Sequence, residues 1–340
     1  MPETDYVLNT RGTTQNLGAH VIAARFTRQG TPAFALGDGT LRLPANDWQT
    51  IEAHEGAILS LTDWHDGWAT AGDDGRLQHI TPEGTTTTIA TFGNKWVDHT
   101  ASWTAGAPAI LAASVGKTIH LFGSTNQKLK ELPHPSTVSG IAFDTKGKRI
   151  AASHYNGVTL WFTASKTDNP RVLEWKGSHT GVLLHPTGEA AVSTMQETAL
   201  HGWRLSDNQH MRMSGYPTKT ESISFSRTGK WLASSGAESV VLWPFFAGGP
   251  MGKAPTELAG GDGVICTRVA FHPQQDMLAA GFSDGLVVLA DIATQRILPL
   301  APPGQGPVSA LAWAPGGTHL ALGTETGFAA LIDLSPPAQT

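Results

Sequence analysis

The chain has 340 residues, enough for two ordinary domains or for one repeat array with a continuous core. Only 15% of them are charged and 38 are glycine, a composition that suits many tight turns and few exposed helices. The net charge of −5 gives no global attraction to nucleic acid or anionic lipid, and the single cysteine, Cys266, excludes an internal disulfide and fits a reducing compartment.

At the N-terminus, MPETDYVLNTRG lacks the basic start and apolar stretch of a signal peptide. No later apolar run approaches the ~20 residues of a membrane helix. The expectation is a soluble, cytoplasmic protein. Tyr6, Val7 and Leu8 form the first β-like segment. From there the chain repeats. Eight units can be aligned on the last core position of a third strand, at Pro44, Ile80, Phe122, Trp161, Trp203, Trp243, Ala290 and Ile332. The mean interval, roughly 41 residues, lies in the ~40–45 range of a four-stranded propeller blade.

The unit from Ser136 to Phe162 is the clearest. Val138 to Phe143, Arg149 to Ser153 and Val158 to Phe162 read as strands. They are separated by turns that place Gly147 and Gly157 where positive φ is needed. Second-to-third-strand turns of the same kind recur at Asp38-Gly39, Asp74-Gly75, Asp284-Gly285 and Thr326-Gly327.

Outer strands are expected at 48–52, 86–90, 128–132, 171–175, 209–213, 256–258 and 296–300, where charged and apolar residues mix as on a one-sided strand. The eighth unit ends at Leu334 with no outer strand of its own. Pairing Tyr6–Leu8 there would close the ring and hide an open edge. The expected fold is therefore all-β, a single eight-bladed propeller of four-stranded antiparallel blades over residues 4–335, with a disordered tail at 336–340.

These features resemble the WD40 repeat family over nearly the whole chain. His54 followed by Ile58, the Asp74-Gly75 turn, the Phe271-His272-Pro273 run, the Asp284 to Asp291 segment and the core tryptophans Trp161, Trp203 and Trp243 carry the resemblance. No unit has a true Trp-Asp pair. Only the unit with His134, Ser153, Asn156 and Trp161 approximates the family's buried His–Ser/Thr–Asp–Trp network. The resemblance implies structural roles for His54 and His134, and a peptide-docking surface on the face where the inter-blade loops and second-to-third-strand turns emerge.

On that face, units three to six place Lys95, Trp96, Lys117, His134, His154, Tyr155, Trp175, Lys176, Tyr216 and Lys219. Asp38, Asp73, Asp74, Asp262 and Glu325 occupy corresponding loops of other units, so one side of the face reads basic and aromatic and the other acidic. Large aromatics on loops are over-represented at binding hot spots, though Trp96 and Trp175 could equally pack between blades. On the opposite face, the longest interval carries Phe245, Phe246 and Met251, read either as a plug for the channel or as a docking loop.

No catalytic motif is present. There is no nucleophile elbow, His-Glu-x-x-His, phosphate loop or dinucleotide fingerprint. The reading is a non-enzymatic, cofactor-free protein–protein interaction scaffold, a monomer on its own. Its partner is a protein or peptide of acidic or phosphorylated character, not nucleic acid or membrane. The alternative is a metal-binding protein with Asp98, His99, His179, Glu221 and Cys266 converging at the channel mouth, or a propeller hydrolase or lyase built on the same groups.

Overall fold

Short antiparallel strands joined by tight turns account for most of the chain in the computed structural model, which describes residues 5–44, 47–261 and 263–336. The turns are where glycine and aspartate were needed. At Asp74-Gly75, the Asp74 carboxylate accepts the Arg76 N–H at 3.0 Å, and Gly75 has φ +75°. A Cβ on Gly75 would stand 2.0 Å from the Gly93 carbonyl oxygen, so the turn also demands glycine for close approach.

Consecutive strands pair in chain order, as in the sheet Ile58–Trp64, Gly67–Gly72, Arg76–Ile80 and Thr86–Thr91. Middle strands such as Gly67–Gly72 and Ile110–Val115 are buried throughout, because each is covered on both faces by neighbouring sheets. Outer strands such as Gln49–Glu52 bury only one face. All seven expected outer segments fall on strands, within a few residues at the ends.

Counted as hydrogen-bonded sheets, the ring has seven blades, not the eight separate four-stranded blades expected from the repeats. The cause is local. Arg149–Phe162 and Arg171–Leu184 are each 14 residues long. The first folds back at Asn156 (φ 68°), which brings the Thr163 N–H to the Lys148 carbonyl at 3.0 Å. The second pairs first with 155–160 and then, beyond a register shift at His179, with Ala191 to Met195. Trp175 to Gly177 bulge out of register opposite Asn156, but pairing resumes at Ser178 and passes to the next unit at His179, so the strands of two repeat units, from Gly140 to Ser214, form one six-stranded sheet.

The ring closes through an N-terminal strand, but not the one expected. Gly12–Asn16 pairs with Phe328–Asp333, Gly12 opposite Ile332 and Asn16 opposite Phe328. Tyr6 instead precedes a short helix, Val7–Arg11. Leu8 is drawn off the sheet edge because it fills a core cluster with Leu289, Leu300 and Ile332 at the seam between the last two sheets. Arg11 holds this arrangement, pairing with Asp333 at 3.2 Å and donating to the Ser335 carbonyl at 2.6 Å. Residue 4 and tail residues 337–340 lie outside the described residues.

The core is distributed between sheets. One cluster joins Ala151, Val158 and Leu160 to Ala191 and Trp203 of the neighbouring unit. Innermost strands of neighbouring units are tied by hydroxyls. Ser60 meets Thr100 at 2.8 Å, Thr62 meets Ser102 at 2.9 Å, and Ser309 donates to the Val21 carbonyl at 2.6 Å. The two His-Pro histidines do the same work at turns. His185 Nε2–H donates to Gly229 at 2.9 Å and His272 Nε2–H to Gly317 at 3.0 Å.

Candidate binding face

Beneath the loop face lie three polar networks, each at the same place in a repeat. His54 donates through Nδ1 to Asp74 at 2.9 Å and accepts from Thr70 at Nε2, also at 2.9 Å. Burial alone would raise the Asp74 pKa. The bonds from His54 and from the Arg76 and Glu55 N–H groups outweigh it and hold the carboxyl below its usual range.

In the next network, the Trp161 indole N–H donates to His134 Nε2 at 3.0 Å. Burial, with the charge of His154 beside it, lowers the His134 pKa to about 4, so the ring is neutral. In the third, Tyr216 replaces the histidine. Its hydroxyl accepts from Trp243 Nε1 at 2.6 Å and donates to Ser234 at 2.6 Å, and burial pushes its pKa up to about 12.

His134, His154 and Tyr216 are therefore buried under the face rather than displayed on it. His154 is satisfied by Thr159 at 2.8 Å and the Tyr155 carbonyl at 2.9 Å. Lys95, Trp96, Lys117, Tyr155 and Lys176 are exposed, and Trp175 and Lys219 are half-buried. Trp96 and Tyr155 stand out at 59% and 60% exposure.

Trp175 is held rigidly. Its ring stacks on buried His201 at 4.0 Å with an interplanar angle of 13°, and its carbonyl accepts from His179 Nε2–H at 2.9 Å. Two hollows meet at this ring. One, of about 610 Å³, lies between Tyr155 and Trp175 over Pro135, Val172 and Glu174. The other, of about 160 Å³, lies beyond Trp175 and Lys176 against Glu197, His201 and Arg212. The His201–His210 pair at 2.9 Å and exposed Val172 were not singled out from sequence. A histidine pair at positions 201 and 210 has no distinctive spacing, and Val172 reads as ordinary outer-strand alternation.

Across the ring, Asp38 and Glu325 are exposed, Asp73 and Asp74 half-buried, and Asp262 lies outside the described residues. Among the described residues, no group of three or more His, Cys, Asp or Glu side chains is placed to hold a metal. Asp98 and His99 are half-buried at the mouth, burial raising the pKa of the first and lowering that of the second. His179 is engaged by Ser193 and the Trp175 carbonyl, and Glu221 pairs with Arg268 at 3.1 Å. Cys266 is buried, its thiol pushed up to about 12 and so not a thiolate.

On the opposite face, Phe245 is buried against His185 and Phe225, inside a core cluster rather than across the channel. Phe246 and Met251 are 45% and 48% exposed. Phe246 packs edge-on to Trp231, with the Lys253 ammonium 4.7 Å from its ring.

Residues 269–337 match the family model described as the anaphase-promoting complex subunit 4 WD40 domain. The chain is also similar to a solved structure, the computationally designed Ika8 protein, with a TM-score of 0.74 and 17% identity over 94% of this chain and 98% of that one. At that identity the likeness speaks to the fold alone. No curated protein matches the chain in sequence. No helix among the described residues is long and apolar enough to cross a membrane. The family match and the propeller arrangement together support a WD40-repeat β-propeller.

Proposed function

We propose that this WD40-repeat β-propeller is a non-enzymatic interaction platform that docks a protein or peptide segment at Tyr155, Trp175 and Lys176 on the loop face. WD40 domains generally mediate protein–protein interactions, and their propeller families are generally non-enzymatic. The observation that carries the reading is the hollow of about 610 Å³ whose walls are an exposed tyrosine and a tryptophan fixed from beneath. A rigid aromatic loses little conformational freedom on binding, which favours it as an anchor.

Lys95, Lys117, Lys176 and Lys219 surround the face and favour an acidic or phosphorylated segment, acting mainly on association rate and salt dependence. Tyr216, His134 and His154 support the face from below. The chain acts as a monomer in the cytoplasm, without nucleic acid, membrane or cofactor. A second docking surface on the opposite face, at Phe246 and Met251, is favoured by the exposure of both side chains.

The test is capture of the partner from native lysate followed by titration. Tyr155→Ala and Trp175→Ala should each weaken binding by ~2 kcal/mol. Lys176→Glu should slow association and flatten its salt dependence. Unchanged affinity in a folded Tyr155→Ala, Trp175→Ala double variant overturns the assignment.

A further inference from the structure

The hydrogen-bonding groups around the hollow between Tyr155 and Trp175 are unevenly spent. Among the described residues, both aromatics bond the protein through their backbone alone. The Tyr155 N–H donates to Ser136 at 3.0 Å, its carbonyl accepts from His154 at 2.9 Å, and the Trp175 carbonyl accepts from His179 at 2.9 Å. Other tryptophans of these units give their indole N–H to the protein. Trp161 donates to His134 at 3.0 Å, Trp203 to the Glu174 carbonyl at 3.4 Å and Trp243 to Tyr216 at 2.6 Å. Trp175 does not, and its Nε1 is not among the buried unpaired atoms, so this donor reaches solvent, as does the Tyr155 hydroxyl.

The rest of the wall leans the same way. Asn156 Oδ1 is taken by the Gly177 N–H at 3.2 Å, and Ser136 Oγ accepts from Tyr155, so both side chains have donors left over. Lys176 adds an exposed ammonium, against one carboxylate, Glu174. Water completes these donors in the free protein. A segment that displaces the water must bring carbonyl oxygens, because a donor covered without an acceptor costs its full desolvation. Proline presents a carbonyl and no N–H, with an apolar ring suited to aromatic walls and to a floor of Pro135 and Val172. In a polyproline II helix no internal hydrogen bond occupies the carbonyls, and the backbone is ordered before it binds.

We infer that the segment docked between Tyr155 and Trp175 is proline-rich and lies there as a polyproline II helix, its carbonyls accepting from the Tyr155 hydroxyl and the Trp175 indole N–H. This names the class of partner for the loop face and rests on that reading. Lys176 takes an acidic flank of the same segment. A segment added as a β-strand would bring N–H groups as well as carbonyls, and a wall made mostly of donors gives those N–H groups few partners.

Calorimetric titration of the full chain with a synthetic peptide of two glutamates followed by eight prolines tests it. The control peptide keeps the glutamates and carries alternating glycine and serine in place of proline. The proline peptide should bind saturably, and the control at least tenfold more weakly. Trp175→Phe keeps a ring on His201 and removes the indole N–H, and Tyr155→Phe removes only the hydroxyl. Each should weaken the proline peptide at least threefold, and Tyr155→Ala at least tenfold. Absence of saturable binding, equal binding of the control, or unchanged affinity in both phenylalanine variants overturns the proposal. Failure here is distinct from failure of the docking surface. A partner captured from lysate that needs Tyr155, beside a proline peptide that does not bind, overturns the proline assignment and leaves the surface standing.

Discussion

Tyr155 and Tyr216 occupy the same face of the ring and meet opposite fates. Tyr155 is 60% exposed, and Tyr216 is 7% exposed and bonded to two side chains. The difference is one of register. Tyr216 precedes Trp243 by 27 residues, the same separation as His134 from Trp161, and it fills the slot where a ring meets the indole N–H of the third strand. Tyr155 sits at the tip of a turn whose next residue, Asn156, has φ 68°, and only its backbone is engaged, the N–H by Ser136 at 3.0 Å and the carbonyl by His154 at 2.9 Å. Position within the repeat, more than residue type, decides whether an aromatic supports the face or is displayed on it.

The sharpest way to break that comparison is Tyr216→Ala. It removes a buried ring, leaves Trp243 Nε1 without its partner and leaves Ser234 only the Val241 carbonyl at 3.3 Å, so unfolding free energy should fall by about 4 kcal/mol. Tyr216→His, the residue other units use in the slot, should recover much of this. Urea denaturation measures both. A loss below ~1 kcal/mol for Tyr216→Ala would show that the slot does not organise the unit.

The neighbouring pair Phe245 and Phe246 repeats the contrast on the opposite face. Phe245→Ser should cost about 3 kcal/mol, because the ring is enclosed by His185, Phe225 and the side chains of two sheets. Phe246→Ser should cost less than about 1 kcal/mol, since the lost contacts are one edge of Trp231 and the Lys253 ammonium. Equal losses on thermal unfolding would mean that the loop is packed as a unit.

Acid should act on the buried slot and spare the exposed tyrosine. Burial depresses His134 to about 4 and His201 to about 3, against ~6.5 in an unfolded chain. Below pH 6.5 the unfolded state binds protons that the folded state refuses. Stability from each ring is therefore present above 6.5 and is lost as pH falls towards the folded value. At pH 4.5 each should cost about 2 kcal/mol relative to pH 7. His134→Gln should shrink the drop in urea stability by about that amount, and an unchanged drop would place the titrating groups elsewhere.

Much of the fold was legible because turn chemistry is local. Asp38, Asp74 and Asp284 each bond the N–H two residues on, and the following glycines all take positive φ. The sheet count was not legible. It depends on whether pairing resumes at Ser178 after the bulge from Trp175 to Gly177, and the side chains there resemble those of any connector. Nor was the closing strand, since all of Gly12–Asn16 is exposed and polar and so carries no alternation. Leu8 looked like a strand residue only because its true neighbours, Leu289 and Ile332, are distant in sequence. On the candidate face, Tyr216 reads from sequence as displayed, although its 27-residue spacing to Trp243 equals that of His134 to Trp161 and places it in the buried slot. The stacking of Trp175 on His201 was not readable, because it joins side chains of two different strands.

The smallest expected effect on stability is the most informative about the face. Tyr155→Ala removes a ring that has no hydrogen bond among the described residues and lies mostly in water. Unfolding free energy should change by no more than about 0.5 kcal/mol, as for other exposed positions. Trp175→Ala is a less clean probe, because it also uncovers His201 and should itself cost stability. A lost partner in that variant could reflect a loosened support. With Tyr155→Ala the support is untouched, since the Tyr155 carbonyl that His154 engages belongs to the backbone. Loss of partner capture with an unchanged melting temperature would therefore assign the energy to the displayed ring. A fall of several degrees in melting temperature would instead mean that Tyr155 packs as part of the sheet, and the contrast with Tyr216 would fail.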